Sequence, residues 1–142
     1  MADTDGFYTM KGYFLLSDGK LTTAMEDYLE MIARLRQKGE AIRVAELSAR
    51  LHVKASSVTK MVQQLAQAGL VHAPKYGEIS LTEQGAALGD YLLRRHRILH
   101  EFLCLLNGSE NEWEQAEKIE HFLNEQTVRN LERLLQRLRE DA

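Results

Sequence analysis

Residues 44–70, VAELSARLHVKASSVTKMVQQLAQAGL, decide the fold of this 142-residue chain. Apolar residues recur at helical spacing through 44–51 and again through 58–65, which predicts two helices. A turn at His52-Val53 separates them, and Gly69 ends the second helix. Two short helices joined by such a tight turn are typical of a helix-turn-helix.

The segment that follows predicts a small β-hairpin. Short apolar stretches at residues 70–71 and 79–81 lie on either side of the turn-forming residues 74–77, PKYG. Helix, turn, helix and hairpin in this order predict a winged helix-turn-helix.

The outer side of the second helix has the side chains that a DNA groove requires. It offers hydroxyls and long donors opposite the apolar stripe, and the hairpin tip adds two more candidates. The predicted DNA-binding residues are Ser56, Ser57, Thr59, Lys60 and Gln63 on the helix and Lys75 and Tyr76 on the hairpin. The alternative is an ordinary helical hairpin with a polar outer surface.

Charge is distributed unevenly along the chain, although the net charge is only −3. Residues 43–60 contain four basic residues and one acid, a balance of +3, whereas residues 109–125 contain six glutamates and one lysine, a balance of −5. This separation suggests that one part meets phosphates and another meets cations.

Composition limits the class of protein. With 44% hydrophobic residues, the chain can form one domain or two small ones. Its longest apolar runs are far shorter than the ~18 residues that span a bilayer, and the N-terminus lacks a basic signal-peptide start. The single cysteine, Cys104, excludes an intramolecular disulfide and a thiolate-rich zinc site, and core packing is its expected role. We therefore expect a cytoplasmic protein without a membrane segment.

The remainder of the chain is predicted to be mainly helical. Residues 1–21 show no regular period and are interpreted as an N-terminal arm. A helix begins near Thr22 or Thr23, with Thr23 and Glu26 placed as a capping box, and ends near Gly39. The winged helix-turn-helix is predicted to span residues 22–84, as a DNA-binding domain.

An all-helical dimerisation domain is predicted for residues 85–142. It begins with a long helix over 86–106, and Ser109 with Glu112 forms a second capping box that opens the next helix. Its last helix has apolar residues at heptad-like spacing, namely Val128, Leu131, Leu134, Leu135 and Leu138. Because these helices have more apolar surface than so small a domain can bury, we expect a homodimer.

Acidic residues and histidines in three helices form a candidate metal site. Glu117, Glu120 and His121 stand at i, i+3 and i+4, which places them on one helix face. Asp27 and Glu30 stand at i, i+3 on an upstream helix, and a third helix holds His96. These six residues offer oxygen and imidazole ligands for a divalent cation. Taken alone, the cluster at 117–121 is more often a solvated helix face.

Several motifs together resemble the diphtheria toxin repressor (DtxR) family and, within it, the manganese transport regulator (MntR) branch. The similarity covers residues 22 to 139 and rests on 25–30 (MEDYLE), 56–62 (SSVTKMV), Arg95-His96 and 119–121 (IEH). The resemblance implies a dimeric, metal-activated transcriptional repressor of metal uptake genes that binds a palindromic operator in double-stranded DNA.

The resemblance also implies a binuclear site with two Mn²⁺ ions per subunit. Asp27, Glu117, Glu120 and His121 would surround one ion, and Glu30, His96 and Glu120 the other, with Glu120 as the bridge. In the iron-responsive branch the positions of Asp27 and Glu117 hold methionine and cysteine, which are softer ligands. Carboxylates at both positions favour Mn²⁺, with Fe²⁺ as the open alternative.

Two positions depart from the family pattern. His100 lies one helical turn after His96, where members usually have a glutamate; we interpret it as a histidine on the helix surface, with an extra metal ligand as the alternative. Trp113 occupies the place of a histidine in the iron-responsive branch, so that branch's ancillary metal site is expected to be absent.

Other functions are compatible with such a chain. A metalloenzyme is suggested by the likeness of E-x-x-E-H to zinc hydrolase helices, but no nucleophile accompanies the cluster and six ligands leave little open coordination. The same residues would also suit an iron-responsive repressor of the same family or a winged-helix sensor of an organic ligand. We expect a protein that is not an enzyme and has no small organic substrate.

Overall fold

The structure is a computed structural model that describes residues 21–141. Its helices are α1 (Thr23–Gln37), α2 (Val44–Leu51), α3 (Ala55–Gln67), α4 (Glu83–Asn107), α5 (Trp113–Ile119) and α6 (Glu125–Glu140), and a 3₁₀ turn spans Glu120–Phe122. Strands β1 (Val71–His72) and β2 (Ser80–Leu81) lie between α3 and α4. Apart from Leu21, the predicted arm at residues 1–21 falls outside the described residues.

The predicted winged helix-turn-helix is confirmed. His52, with a left-handed φ of 56°, makes the turn between α2 and α3. Strands β1 and β2 pair antiparallel, with Val71 opposite Leu81. The backbone N–H of Ile79 donates to the carbonyl oxygen of Ile42 at 2.7 Å, so the chain before α2 extends the hairpin. The fold is mainly α, as the sequence predicts.

Helix α1 lies at the centre of the molecule. Its buried residues Leu29, Ile32 and Leu35 share one apolar cluster with residues of the winged helix-turn-helix and of α4, namely Leu47, Val58, Leu65, Val71 and Leu92. At Gly89 of α4 the two helices approach so closely that an added Cβ would stand 2.8 Å from Ala33 Cβ. This close contact brings the acidic residues of α1 within reach of α4.

Two predicted capping boxes are wrong. Helix α1 is capped by Thr22, whose Oγ1 accepts from the Met25 backbone N–H at 3.1 Å, so Glu26 is free to point elsewhere. Helix α5 begins only at Trp113, and the hydroxyl of Ser109 donates to the Glu112 carboxylate at 3.0 Å without capping a helix.

The predicted metal-binding helix face is also interrupted. Helix α5 ends at Ile119, so Glu117 lies in its last turn while Glu120 and His121 belong to the following 3₁₀ turn. The tighter turn keeps the three side chains on one side of the chain, because three residues complete one turn of a 3₁₀ helix.

We expect Gly85→Ala to destabilise the protein by about 3 kcal/mol, the upper end of the range for overpacked sites. An added Cβ would lie 1.8 Å from the carbonyl oxygen of Leu70, so backbone must shift where the hairpin meets α4. Thermal unfolding measures the effect. Ala87→Ser, on an exposed position of the same helix, is the control and should change stability by less than about 0.5 kcal/mol. Equal unfolding temperatures for the two variants would contradict the expected clash.

Candidate metal centre and nucleic-acid surface

The six predicted metal ligands come together where α1, α4 and the end of α5 meet. They form two groups, and within each group the ligand atoms all lie within 4.8 Å of one another. Group A contains Asp27, Glu117, Glu120 and His121, and group B contains Glu30, His96, Glu117 and Glu120. The sequence placed Glu120 in both groups; the structure places Glu117 in both as well.

Burial makes this acidic cluster unlike a solvated helix face. The Glu120 side chain is fully buried and the Glu30 side chain is 5% exposed. Their Oε1 atoms are both buried, and within residues 21–141 neither accepts a hydrogen bond. An unpartnered buried carboxylate oxygen is costly, and coordination of a cation is one of the few ways to satisfy it. The donor set of oxygens and imidazole nitrogens therefore fits a divalent ion of the Mn²⁺ and Fe²⁺ class.

Burial and close neighbours shift the pKa values of the acidic and imidazole groups in the site. Burial, reinforced by the neighbouring Glu120, raises the pKa of Glu30 to about 9, and burial also raises the pKa of Glu120 to about 7. The Asp27 carboxylate, followed by Glu117 and Glu26, raises the pKa of His121 to about 12. The hydrogen bond with His121 in turn lowers the pKa of Glu117 to about 2. Without metal, the protons held by Glu30 and His121 thus offset part of the negative charge of the site.

We expect the metal-free protein to lose stability as the pH rises from 6.5 to 9. Folding raises the pKa of Glu30 from 4.5 and that of His121 from 6.5. Their contributions to the free energy of unfolding are therefore fully present below these two values and are lost as the pH rises towards the folded-state pKa. His96, whose pKa is lowered by burial, acts in the opposite direction only below about 6.5. Urea unfolding of chelator-stripped protein across this range measures the slope.

The control for this pH dependence is Glu30→Gln, which removes one of the groups whose pKa is raised, the others being Glu120 and His121. Its stability should fall less steeply between pH 6.5 and 9 than that of the unaltered protein. A stability that stays level or increases over this range would contradict the expected charge arrangement.

A small cleft leads to the site from the surface. It has a volume of about 210 Å³ and is lined by Asp27, Glu30, Met31, Arg34, Leu51 and Glu117. Three residues of the metal groups, Asp27 and Glu30 on α1 and Glu117 on α5, therefore line a cleft at the surface.

Two residues of the site were missed by the sequence. The Glu26 carboxylate lies 2.8 Å from His121 Nδ1 and 3.2 Å from the Arg95 guanidinium. Arg95 is 3% exposed and also lies 3.7 Å from Glu30. Glu26 lies in the MEDYLE motif and Arg95 in the Arg95-His96 motif, but nothing in the sequence pattern shows that these two side chains contact each other.

The interpretation of His100 as a surface histidine is wrong. Its ring is buried against the ring of Trp113, with centroids 3.4 Å apart and planes 3° from parallel. His100 is in neither metal group; its Nε2 lies 3.4 Å from Cys104 Sγ. Trp113 also stacks on His96, at a centroid distance of 5.0 Å, so it forms one wall of the site.

The predicted DNA-binding residues are all exposed. All five residues on α3 are exposed, as are Lys75 and Tyr76 on the hairpin, where Tyr76 is 85% exposed. Among residues 21–141, no side chain caps the first turn of α3, so its backbone N–H groups can donate to phosphate oxygens. Thr59 donates its hydroxyl proton to the Ala55 carbonyl, which leaves its oxygen as an acceptor. These roles remain a prediction.

Within residues 21–141, no helix is both long enough and apolar enough to cross a membrane.

Two family models match this chain, one for each half. The family model described as "Iron dependent repressor, N-terminal DNA binding domain" matches residues 20–79, and "Iron dependent repressor, metal binding and dimerisation domain" matches residues 82–142. Over 121 residues the chain is 38% identical to the HTH-type transcriptional regulator MntR of Geobacillus kaustophilus (strain HTA426), covering 84% of this chain and 86% of that protein. Its MntR relative from Bacillus subtilis (strain 168) is 36% identical, with 84% and 85% covered.

Solved structures show the same similarity. "Structure of the manganese regulator SloR" superposes with a TM-score of 0.69 and 31% identity, covering 79% of this chain and 53% of that chain. "Manganese-dependent transcriptional repressor complex with manganese" gives a TM-score of 0.72 and 27% identity, covering 79% and 52%. The present chain thus spans about half the length of these two solved chains.

Proposed function

Because this chain belongs to the iron dependent repressor family, the DtxR family, we propose that it is a manganese-activated, DNA-binding transcriptional repressor of metal uptake genes. The single observation that carries this proposal is the convergence of six oxygen and imidazole ligands, two of them buried glutamates whose Oε1 atoms accept no hydrogen bond within residues 21–141. Since the family consists of transcriptional regulators, we assign no catalytic role and no small organic substrate to this chain.

Manganese is favoured over iron by the ligands themselves and by the relatives. The two groups contain four carboxylates and two histidines, with no thiolate or thioether among them. Hard oxygen ligands suit Mn²⁺, although such a site does not select it by affinity alone. Similar proteins include MntR of Geobacillus kaustophilus and the manganese regulator SloR. We propose two Mn²⁺ ions per subunit, with Fe²⁺ as the alternative.

The proposed control of DNA binding follows from where the ligands lie. Asp27 and Glu30 are on α1, which packs against the winged helix-turn-helix, while the other ligands are on α4, α5 and the 3₁₀ turn. These carboxylates already lie close together, and a bound divalent ion would add the positive charge that balances them. Ligation would then fix α3 in one orientation relative to the proposed dimerisation domain, residues 85–142. Metal and DNA would each strengthen binding of the other by the same factor.

A homodimer is part of the proposal. The domain model that matches residues 82–142 is described as a dimerisation domain. Apolar side chains remain exposed on the C-terminal part, including Leu106 at 65%, Phe122 at 61% and Leu138 at 40%. A two-fold axis would present two copies of α3 to successive major grooves of a palindromic operator. We propose that the protein acts in the cytoplasm.

Two measurements test the proposed function. Calorimetric titration of Mn²⁺ into chelator-stripped protein should show about two ions per subunit, the number implied by the two ligand groups. Selection from a library of random duplexes should enrich a palindrome with Mn²⁺ present and nothing with chelator present. An organic-ligand sensor would enrich the same DNA under both conditions. A response to Fe²⁺ that exceeds the response to Mn²⁺ under anaerobic conditions would favour the iron-responsive alternative.

A further inference from the structure

Glu26 lies beside the metal groups without belonging to either of them. Its Oε1 is 2.8 Å from Nδ1 of His121, while Nε2 of the same ring faces Asp27 Oδ1 at 2.9 Å. Nε2 also lies 3.8 Å from oxygens of Glu117 and of Glu120, so it is the nitrogen that points into group A. The two nitrogens of one imidazole thus face two different sets of carboxylates.

Hydrogen-bond geometry shows which nitrogen is left for a ligand. Nδ1 is hydrogen-bonded to Glu26 Oε1, whereas Asp27 Oδ1, although 2.9 Å from Nε2, takes part in no hydrogen bond within residues 21–141. Arg95 Nη2 is 3.3 Å from His121 Nδ1, but a guanidinium can only donate, so that contact would need a bare Nδ1. The contact with Glu26 is 0.5 Å shorter and joins a donor to a charged acceptor, which requires a proton on Nδ1. With its proton held by Glu26, Nδ1 is not available to a cation, and Nε2 is the nitrogen that can give up its proton and offer a lone pair.

Arg95 holds Glu26 in the position from which its carboxylate accepts the Nδ1–H of His121. Its guanidinium contacts both oxygens of Glu26, at 3.2 and 3.5 Å, in a fork. Arg95 is on α4 and Glu26 on α1, and both side chains are largely buried, at 3% and 15% exposure. The pair therefore fixes a carboxylate of α1 against a histidine of the 3₁₀ turn without contacting the ion itself.

We propose that Glu26, braced by Arg95, is the positioning residue that orients His121 so that Nε2 faces the metal of group A. This inference rests on the proposed metal-binding function and adds a residue that is not a ligand. Carboxylates that hold the far nitrogen of a metal-binding histidine fix its tautomer and ring orientation, and their loss weakens metal binding about 10- to 100-fold.

The experiment compares Glu26→Met with Glu26→Gln by calorimetric Mn²⁺ titration. Methionine removes the acceptor for Nδ1–H at similar size, whereas glutamine keeps an oxygen that can accept it. We expect Glu26→Met to weaken Mn²⁺ binding at one of the two ions by about 10- to 100-fold, and Glu26→Gln to retain most of the affinity. Glu83→Met, at an exposed glutamate in the first turn of α4, is the matched control and should bind as the unaltered protein does.

A second readout does not depend on any variant. In the unaltered protein loaded with diamagnetic Zn²⁺, ¹⁵N NMR should show His121 with metal on Nε2 and a proton on Nδ1. Metal on Nδ1, or Mn²⁺ affinity unchanged in Glu26→Met, would overturn the inference. If the unaltered protein bound neither Zn²⁺ nor Mn²⁺, the proposed function itself would fail, and this outcome is distinct from the other two.

Discussion

Glu120→Gln should abolish Mn²⁺ binding and make any remaining DNA binding indifferent to metal. Glu120 belongs to both metal groups and its side chain is fully buried, so both ions would lose the same ligand. The amide that replaces it is neutral and directs an N–H₂ donor into a space shaped for cations. Because removal of an outer partner already costs about 10- to 100-fold in affinity, removal of a shared ligand should cost more than about 100-fold. Calorimetry with Mn²⁺ measures the loss directly.

The fold of this variant should survive. Glutamine matches glutamate in size, and it relieves the cost of burying a carboxylate close to Glu30. The metal-free variant should therefore unfold at a temperature no lower than the metal-free parent. Glu114→Gln, on the exposed side of α5 with 88% of its side chain accessible, is the matched control and should keep the full Mn²⁺ response. A Glu120→Gln protein that still bound DNA only with Mn²⁺ would disprove the proposed centre.

Local patterns were enough to predict the winged helix-turn-helix. Its helices are short and periodic, and its turns depend on neighbouring residues, such as His52 and Gly69, so few long-range contacts decide them. The resemblance to the DtxR family rested on the same local motifs and is confirmed by the family models. Local rules failed where tertiary contacts decide: α5 ends at Ile119 and tightens into a 3₁₀ turn that buries Glu120 beneath the other ligands.

The candidate site was predicted as a set of residues, but their relations were not. Spacing of i, i+3 and i+4 identifies which side chains share a face, and that selects five of the six candidate ligands, to which His96 is added from a third helix. Glu26 was assigned to a helix cap because the sequence permits it, whereas its partners Arg95 and His121 are far away along the chain. His100 was misjudged for a similar reason, since the stacking ring of Trp113 comes from another helix.

Lys60→Glu should remove most DNA affinity while leaving Mn²⁺ binding unchanged. Lys60 is exposed on the outer side of α3, between the buried residues Val58 and Val62 that anchor the helix in the core. A hydrogen bond to a charged group contributes about 1.5–3 kcal/mol, and a dimer would lose two of them. The expected loss is at least about 100-fold at constant salt, with further repulsion from the introduced carboxylate. Fluorescence anisotropy with a duplex selected in the presence of Mn²⁺ measures it.

The salt dependence of binding separates a phosphate contact from a general loss of positive charge. If Lys60 contacts phosphate, the slope of log affinity against log salt should become shallower by roughly 0.9 for each copy lost, and thus by about 2 for a dimer. Lys38→Glu, at the exposed end of α1, makes the same change in net charge and should leave affinity and slope nearly unchanged. Equal losses in both variants would mean that α3 is not the reading helix. Together, the two variants test whether metal binding and DNA binding reside on separate surfaces. Lys60→Glu should remove DNA binding and keep Mn²⁺ binding. Glu120→Gln should remove Mn²⁺ binding and, with it, the metal dependence of DNA binding.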